Sequence, residues 1–418
     1  MMSITAILAF LIVFGLLVGF HEFGHFIVAK KSGVLVREFA IGMGPKILSW
    51  YKNQTAYTIR LLPVGGYVRM ASELEKDELE AGQRLRLILN ESGQVISLDE
   101  RANQDGEGIF FQVDQADLVD TMTVTGFRQS QPEKETLMVS PDALRIGEDG
   151  ITTRVAPRPT WMESAPVWKR LLISFAGPAM NFILAILAAG VLSFALPAVH
   201  FNEPTIGQVV QHEPAAKAGI KSGDQITAVN GEKVSTFTDF ATVVAAKADQ
   251  PLTVTLRRDG QTLTKTVTPE KITVAGQKQI RIGVGVKGYQ DPASRLRFAW
   301  VNTQTWFTQV GQGIANLFQG GFSINKLGGP VMLAKTTAEA SHQGWITVLA
   351  LLGLLSVNLG LINLLPIPPL DGGKIFLDLI EGIFRRPAPA WISKALTGAG
   401  TALLVVLMIL VTIKDLGQ

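Results

Sequence analysis

"LLVGFHEFGHFIVAK", Leu16 to Lys30, sets two histidines and a glutamate into the closing turns of an otherwise apolar run. The run starts at about Ile4 and carries no charge before His21. An apolar stretch of about 20 residues crosses a bilayer as a helix. Ionisable groups inside such a stretch are costly and as a rule mark a functional site. On a helix, His21 and His25 stand about 40° apart on one face, so their imidazoles can share one tetrahedral ion. Glu22 lies beside them, placed to act on a water without being a ligand. This is the H-E-x-x-H arrangement of zinc hydrolases, in which the glutamate is the general base. The competing reading is a solvated helix end. Phe26, Ile27 and Val28 carry the apolar pattern past the motif and argue against it. A signal peptide also fits poorly, because no Lys or Arg precedes the run and no small-x-small site follows it.

Three further apolar runs have spanning length: Leu171 to about Val199, Trp345 to Leu370, and about Ala395 to Ile413. The expected fold class is therefore a polytopic α-helical membrane protein with four transmembrane helices. Basic residues near the span ends are uneven. Lys30, Lys31, Arg37, Lys46 and Lys52 follow the first span, Lys169 and Arg170 precede the second, and Lys374, Arg385, Arg386 and Lys394 lie between the third and fourth. Residues 30–170 and 371–394 are accordingly expected in the cytoplasm, with both termini and residues 200–344 outside.

The composition of the 418 residues agrees: 47% are apolar and only 17% charged, against about 25% charged in soluble domains. A net charge of +3 gives no electrostatic support to nucleic-acid binding. The chain has no cysteine, which excludes disulfides, thiolate zinc sites and thiol catalysis. Any metal falls to histidine and carboxylate. Beyond His21 and His25 the only histidines are His200, His212 and His342, all on the outer side. A third ligand is thus expected to be a carboxylate. Spans one and three run in the same direction, so their ends share a membrane face. The third ends in "NLLPIPPLDGGK", where prolines break the helix and Asp371 follows. That geometry permits a His21–His25–Asp371 site. An ordinary helix-end turn at D-G-G is the alternative.

The divisions expected from these patterns are 1–33, first helix; 34–70, a β region; 71–165, a polar insert; 166–199, second helix; 203–290, an outer β-domain; 291–344, an amphipathic linker; 345–373, third helix; 374–394, a cytoplasmic loop; and 395–418, fourth helix. "AYTIRLLPVGGYVRM" alternates around a turn expected at Pro63–Gly66. Residues 71–165 read either as a small, partly β domain or as a flexible insert. In the outer segment, A-G-I-x-x-G-D-x-I-x-x-V-N-G (from Ala218) matches the PDZ pattern, and Asn230-Gly231 is a hairpin turn signal. Such a domain either binds peptide by strand addition or serves as a spacer or gate. Arg295 to Phe322 has apolar residues at helical spacing, for the outer membrane surface or for packing against the β-domain.

Together HEFGH, "AGPAMNF" (Ala176–Phe182), the single PDZ pattern and "NLLPIPPLDGG" resemble the site-2 proteases, the intramembrane zinc metalloproteases. The likeness is to the regulator-of-sigma-E protease type, and to its one-PDZ Gram-positive members most. It implies Zn2+ held by His21, His25 and Asp371, with Glu22 activating the water. It implies that Asn363 contacts the substrate backbone. It implies that the Leu61–Tyr67 hairpin, with Gly65, Gly66 and Tyr67, is a membrane re-entrant β-loop receiving the substrate as a strand; a cytoplasmic β-ribbon is the alternative. The implied enzyme sits in the bacterial plasma membrane, its active site near the cytoplasmic leaflet and its PDZ domain extracytoplasmic. Its implied partners are the lipid bilayer, transmembrane segments of single-pass proteins such as anti-sigma factors, signal-peptide remnants including pheromone precursors, and a site-1-type protease acting upstream. Two other classes stand beside this reading: a catalytically inactive PDZ-bearing scaffold, and a transporter coupling ions through His and Asp. The full set of catalytic residues disfavours the first, and the lack of internal repeats disfavours the second.

Overall fold

Helix α1 (Ile4–Ser32) opens on Ser3, whose hydroxyl accepts from the Ala6 amide. It closes on Gly33 in a left-handed conformation, with Lys30 and Lys31 in its last turn. Those charges suit the negative end of the helix dipole. A computed structural model describes residues 3–72, 79–101, 107–129, 133–274, 277–319, 327–386 and 389–417. The chain forms two compact units, Met1–Ala188 with Thr305–Gln418, and Ala189–Gln304.

In the first unit α1 leads into two long antiparallel strands, β1 (Val36–Lys52) and β2 (Thr55–Met70). They curl on themselves. Glu38, Phe39, Ala40 and Ile41 each have one partner in 66–69 and another in 56–59. Positive φ at Gly42, Gly44 and Gly65 permits the bends. The tight hairpin turn is Asn53–Gln54, and the reversal expected at Pro63–Gly66 is a bend inside β2. The curled sheet exposes Ile41, Met43, Ile47, Leu48, Trp50, Leu61 and Leu62, a face suited to lipid rather than water.

Residues 84–154 build a β-domain rather than a flexible insert. Its strands are β3 (Arg84–Leu89), β4 (Val95–Asp99), β5 (Ile109–Asp117), β6 (Thr123–Arg128), β7 (Lys134–Ile146) and β8 (Thr152–Arg154). The order is β4-β3-β5-β6-β7-β8, and a parallel pairing of β4 with β7 closes five strands into a ring. Leu85, Leu87, Leu98, Phe111 and Val124 fill its interior. Helix α2 (Val167–Ala195) follows and contains Pro178.

In the second unit, short helix α3 (Pro214–Lys217) and helix α4 (Phe237–Ala246) accompany a four-stranded sheet with strands Gln225–Val229, Glu232–Lys233, Leu252–Arg258 and Gln261–Val267. Asn230 and Gly231, both at positive φ, form the expected two-residue turn between paired Val229 and Glu232. Ile206, Ile226, Phe240, Leu252 and Leu256 make the core of this PDZ-like region. Asp224 is fully buried and meets the Arg258 fork with two contacts of 2.7 Å.

Helices α5 (Pro292–Phe318), α6 (Pro330–Gln343), α7 (Trp345–Asn363), α8 (Asp371–Phe384) and α9 (Ala390–Leu416) complete the chain. Asp415, near the end of α9, accepts from the Gly329 and Met332 amides and so caps the start of α6. Among the described residues four helices, α1, α2, α7 and α9, are long and apolar enough to cross a membrane. Val13 and Leu17 of α1 pack with Leu184 of α2 and Leu352 of α7. The segment expected as a loop between the third and fourth spans instead begins with α8. Ile375–Phe376, Leu379–Ile380 and Ile383–Phe384 recur every four residues, which is a helical period.

Candidate metal centre

The H-E-x-x-H turn lies inside α1, with His21 and His25 buried at 9% and 7% exposure. Asp371, 5% exposed, is the first residue of α8. The chain reaches it through the non-helical stretch 364–370, and the turn is close: a Cβ on Gly372 would stand 2.3 Å from the Leu364 carbonyl, and one on Gly373 would stand 2.4 Å from the Pro368 nitrogen. Three donor atoms converge. His21 Nε2 is 3.1 Å from Asp371 Oδ2, His25 Nε2 is 3.2 Å from the same oxygen, and the two Nε2 atoms are 3.3 Å apart.

α2 sets the tautomers. His25 Nδ1 lies 2.7 Å from the Ile173 carbonyl oxygen. A carbonyl only accepts, so Nδ1 carries the proton and Nε2 keeps its lone pair. Pro178 lies inside the same helix and offers no N–H to the Ser174 carbonyl. On the other imidazole, His21 Nδ1 is 3.2 Å from the fully buried amide of Asn181. The two orientations of that amide have the same shape. The one that turns Oδ1, otherwise without a partner among the described residues, toward Nδ1–H leaves His21 Nε2 free as well. Ser356 of α7 donates to the Asn181 backbone carbonyl at 2.8 Å and ties that turn of α2 to α7.

A zinc ion fits this donor set. Zinc bonds of about 2.0–2.1 Å in a tetrahedron put ligand atoms about 3.3–3.4 Å apart, close to the separations found. Three lone pairs aimed at one point repel one another unless a cation lies between them. Two glycines make the room. A Cβ on Gly177 would stand 2.2 Å from His25 Nε2, and one on Gly24 would stand 2.2 Å from the Ala176 carbonyl oxygen.

The remaining expected residues are distributed differently. Glu22 is half-buried, and its Cγ is 3.5 Å from where a Gly66 Cβ would stand. Tyr67 lies with its ring under the Arg60 guanidinium, 5.3 Å to the centroid. A Cβ on Gly65 would meet the end of Met43. Asn363 ends α7 and donates to the Leu359 carbonyl of its own helix at 3.0 Å. Asn181 and Gly177 belong to the AGPAMNF motif and Gly24 to HEFGH, but the motifs alone assign these positions no role. A signal existed, since an asparagine four residues from a glycine in an apolar run suggests close helix packing around a polar contact.

The "Peptidase family M50" model matches residues 9–407. The chain is 43% identical over 415 residues to "Probable protease eep" of Enterococcus faecalis, covering 98% of each. It is 36% identical over 419 residues to "Regulator of sigma-W protease RasP" of Bacillus subtilis, covering 99% of each. It is 36% identical over 416 residues to "Zinc metalloprotease RasP" of Geobacillus kaustophilus, covering 99% of this chain and 98% of that one. Matched along nearly its whole length, and with two histidines and an aspartate converging inside its bundle, this multi-pass membrane chain belongs to peptidase family M50 and is an intramembrane zinc metalloprotease.

Proposed function

We propose that the chain cleaves peptide bonds within transmembrane segments of proteins already shortened by another protease, with His21, His25 and Asp371 as zinc ligands and Glu22 as general base. The convergence of three buried donor atoms 3.1–3.3 Å apart carries this reading. Bound zinc supplies Lewis-acid polarisation of the scissile carbonyl and acidifies the attacking water. Glu22 takes the proton from that water and delivers it to the leaving amine. The half-buried position of Glu22 beside Gly66 supports that role.

A helical substrate sheathes its peptide bonds, so it must unwind locally before it is cut. The outer edge of Gly66–Arg69 has no ladder partner among the described residues. A substrate strand added there, along Gly65, Gly66 and Tyr67, keeps its backbone groups paired where water is scarce. Asn363 contacts the substrate backbone by exchanging its bond to Leu359.

The basic residues at one set of span ends support a cytoplasmic site, with the PDZ-like region outside as a size filter. Substrates in this reading are anti-sigma factors or signal-peptide remnants, released by an upstream site-1-type protease in the plasma membrane. The name of the Bacillus subtilis relative favours the first.

The test compares wild type with Glu22→Gln in detergent, on a peptide made from a transmembrane segment. The variant should retain zinc and lose cleavage by about 10²–10⁴-fold. Unchanged cleavage in the variant, or wild-type protein without zinc, would refute the reading.

A further inference from the structure

One face of α2 touches both imidazoles of the metal centre and the helix that carries its carboxylate. Arg170, Ile173, Gly177 and Asn181 follow one another at intervals of three, four and four residues, a single stripe on a helix. Ile173 and Asn181 orient the two imidazoles, and Gly177 makes room for them. Arg170 remains. Its side chain is only 9% exposed, and it holds α8 at two points: Nε is 3.2 Å from Asp378 Oδ1, and Nη2 is 2.7 Å from Glu381 Oε1. Neither nitrogen is aligned for a hydrogen bond, so the grip is ionic.

The grip bears on the third ligand. Asp378 stands seven residues after Asp371, two turns along the same face and about 10 Å away. The start of α8 packs closely on the non-helical 364–370 turn through Gly372 and Gly373, but no side chain caps it. A helix gripped at two points on one side can neither slide nor rotate freely. We propose that Arg170 is a positioning residue, setting the axial position and rotation of α8 so that Asp371 Oδ2 meets both imidazoles. α2 then serves as a template, with one residue or backbone group for each ligand. A buried arginine suits the task because its planar fork reaches two carboxylates at once. A lysine ammonium is a single point charge.

The test measures zinc retention against a competing chelator, alongside thermal unfolding, in the full-length protein in detergent. Arg170→Met should weaken zinc binding about tenfold or more, the range in which outer-shell changes act. Arg170→Lys should fall between Arg170→Met and wild type. Arg170→Met also strands two carboxylates, so a triple variant (Arg170→Met, Asp378→Asn, Glu381→Gln) separates the two effects. Removing the stranded charges should restore the melting temperature while zinc retention stays about tenfold weak. If Arg170→Met or Arg170→Lys holds zinc as wild type does, or if the triple variant recovers full retention, Arg170 only neutralises its neighbours and the proposal falls. Should Arg170→Met fail to fold, the triple variant and Arg170→Lys decide. The inference rests on His21, His25 and Asp371 binding zinc, and failure of that reading is distinguishable because wild type itself would then hold none.

Discussion

Replacing Gly177 by alanine sets helix propensity against the metal centre. Alanine favours an exposed helix interior over glycine by about 1 kcal/mol, so backbone energetics alone argue for a more stable protein. The site argues the reverse for function. The added Cβ would stand 2.2 Å from His25 Nε2, 2.7 Å from its Cε1 and 2.8 Å from His21 Cε1. Ordinary contact begins at 3.4 Å, so His25 must move by roughly 1.2 Å or α2 must retreat by as much. Retreat would pull α2 off α1 and give up the close packing on the neighbouring turn, where Gly24 lets α1 approach the Ala176 carbonyl. The imidazole therefore yields, which breaks the Ile173 contact and opens a triangle whose edges are 3.1–3.3 Å. Disturbing the groups that orient metal ligands costs about 10–100-fold in metal affinity. Chelator competition should show zinc retained about 10–100-fold more weakly in Gly177→Ala, with helical content by circular dichroism unchanged. Retention within about threefold of wild type would refute the packing argument. So would loss of zinc accompanied by loss of helix, because the defect would then be one of folding.

Two further outcomes follow from other contacts. Asn181→Leu removes the acceptor that fixes the His21 tautomer and should weaken zinc binding about 10–100-fold, whereas Asn181→Asp keeps an acceptor oxygen and should retain more; equal wild-type retention in both would exclude the tautomer role. In the PDZ-like region, burial opposes ionisation of Asp224, but the Arg258 fork and the Lys221 amide outweigh it and hold the carboxyl below its ordinary range. A depressed folded pKa gives stability above the unfolded value of about 3.9 and loses it as pH falls. Amide protection over residues 206–267 should hold from pH 7 to 5 and drop below about pH 4, and Asp224→Asn should be less stable at pH 7 with a flatter pH response. An identical response in both proteins would contradict the assignment.

Much of the centre could be read from residue order alone. A four-residue interval puts His21 and His25 on one face whatever surrounds them. The scarcity of histidine and the parallel sense of spans one and three left Asp371 as the reachable carboxylate. What escaped reading depends on contacts distant along the chain. The closeness of Gly177 to His25 spans about 150 residues, and no local pattern reports a missing Cβ as necessary. The ring in residues 84–154 closes through a parallel β4–β7 pairing, which strand alternation does not encode. The bend inside β2 was visible as a glycine pair, but its partners on both sides of β1 were not.

The central claim is that His21, His25 and Asp371 hold a single zinc. Zinc K-edge absorption on the purified protein, with metal content measured on the same sample, tests it most directly. The account predicts about one zinc per chain in a four-coordinate nitrogen and oxygen shell near 2.0–2.1 Å, with multiple-scattering features of two imidazoles. It also predicts a marked loss of bound zinc in Asp371→Asn. A six-coordinate, oxygen-only shell, or full zinc occupancy in Asp371→Asn, would contradict it.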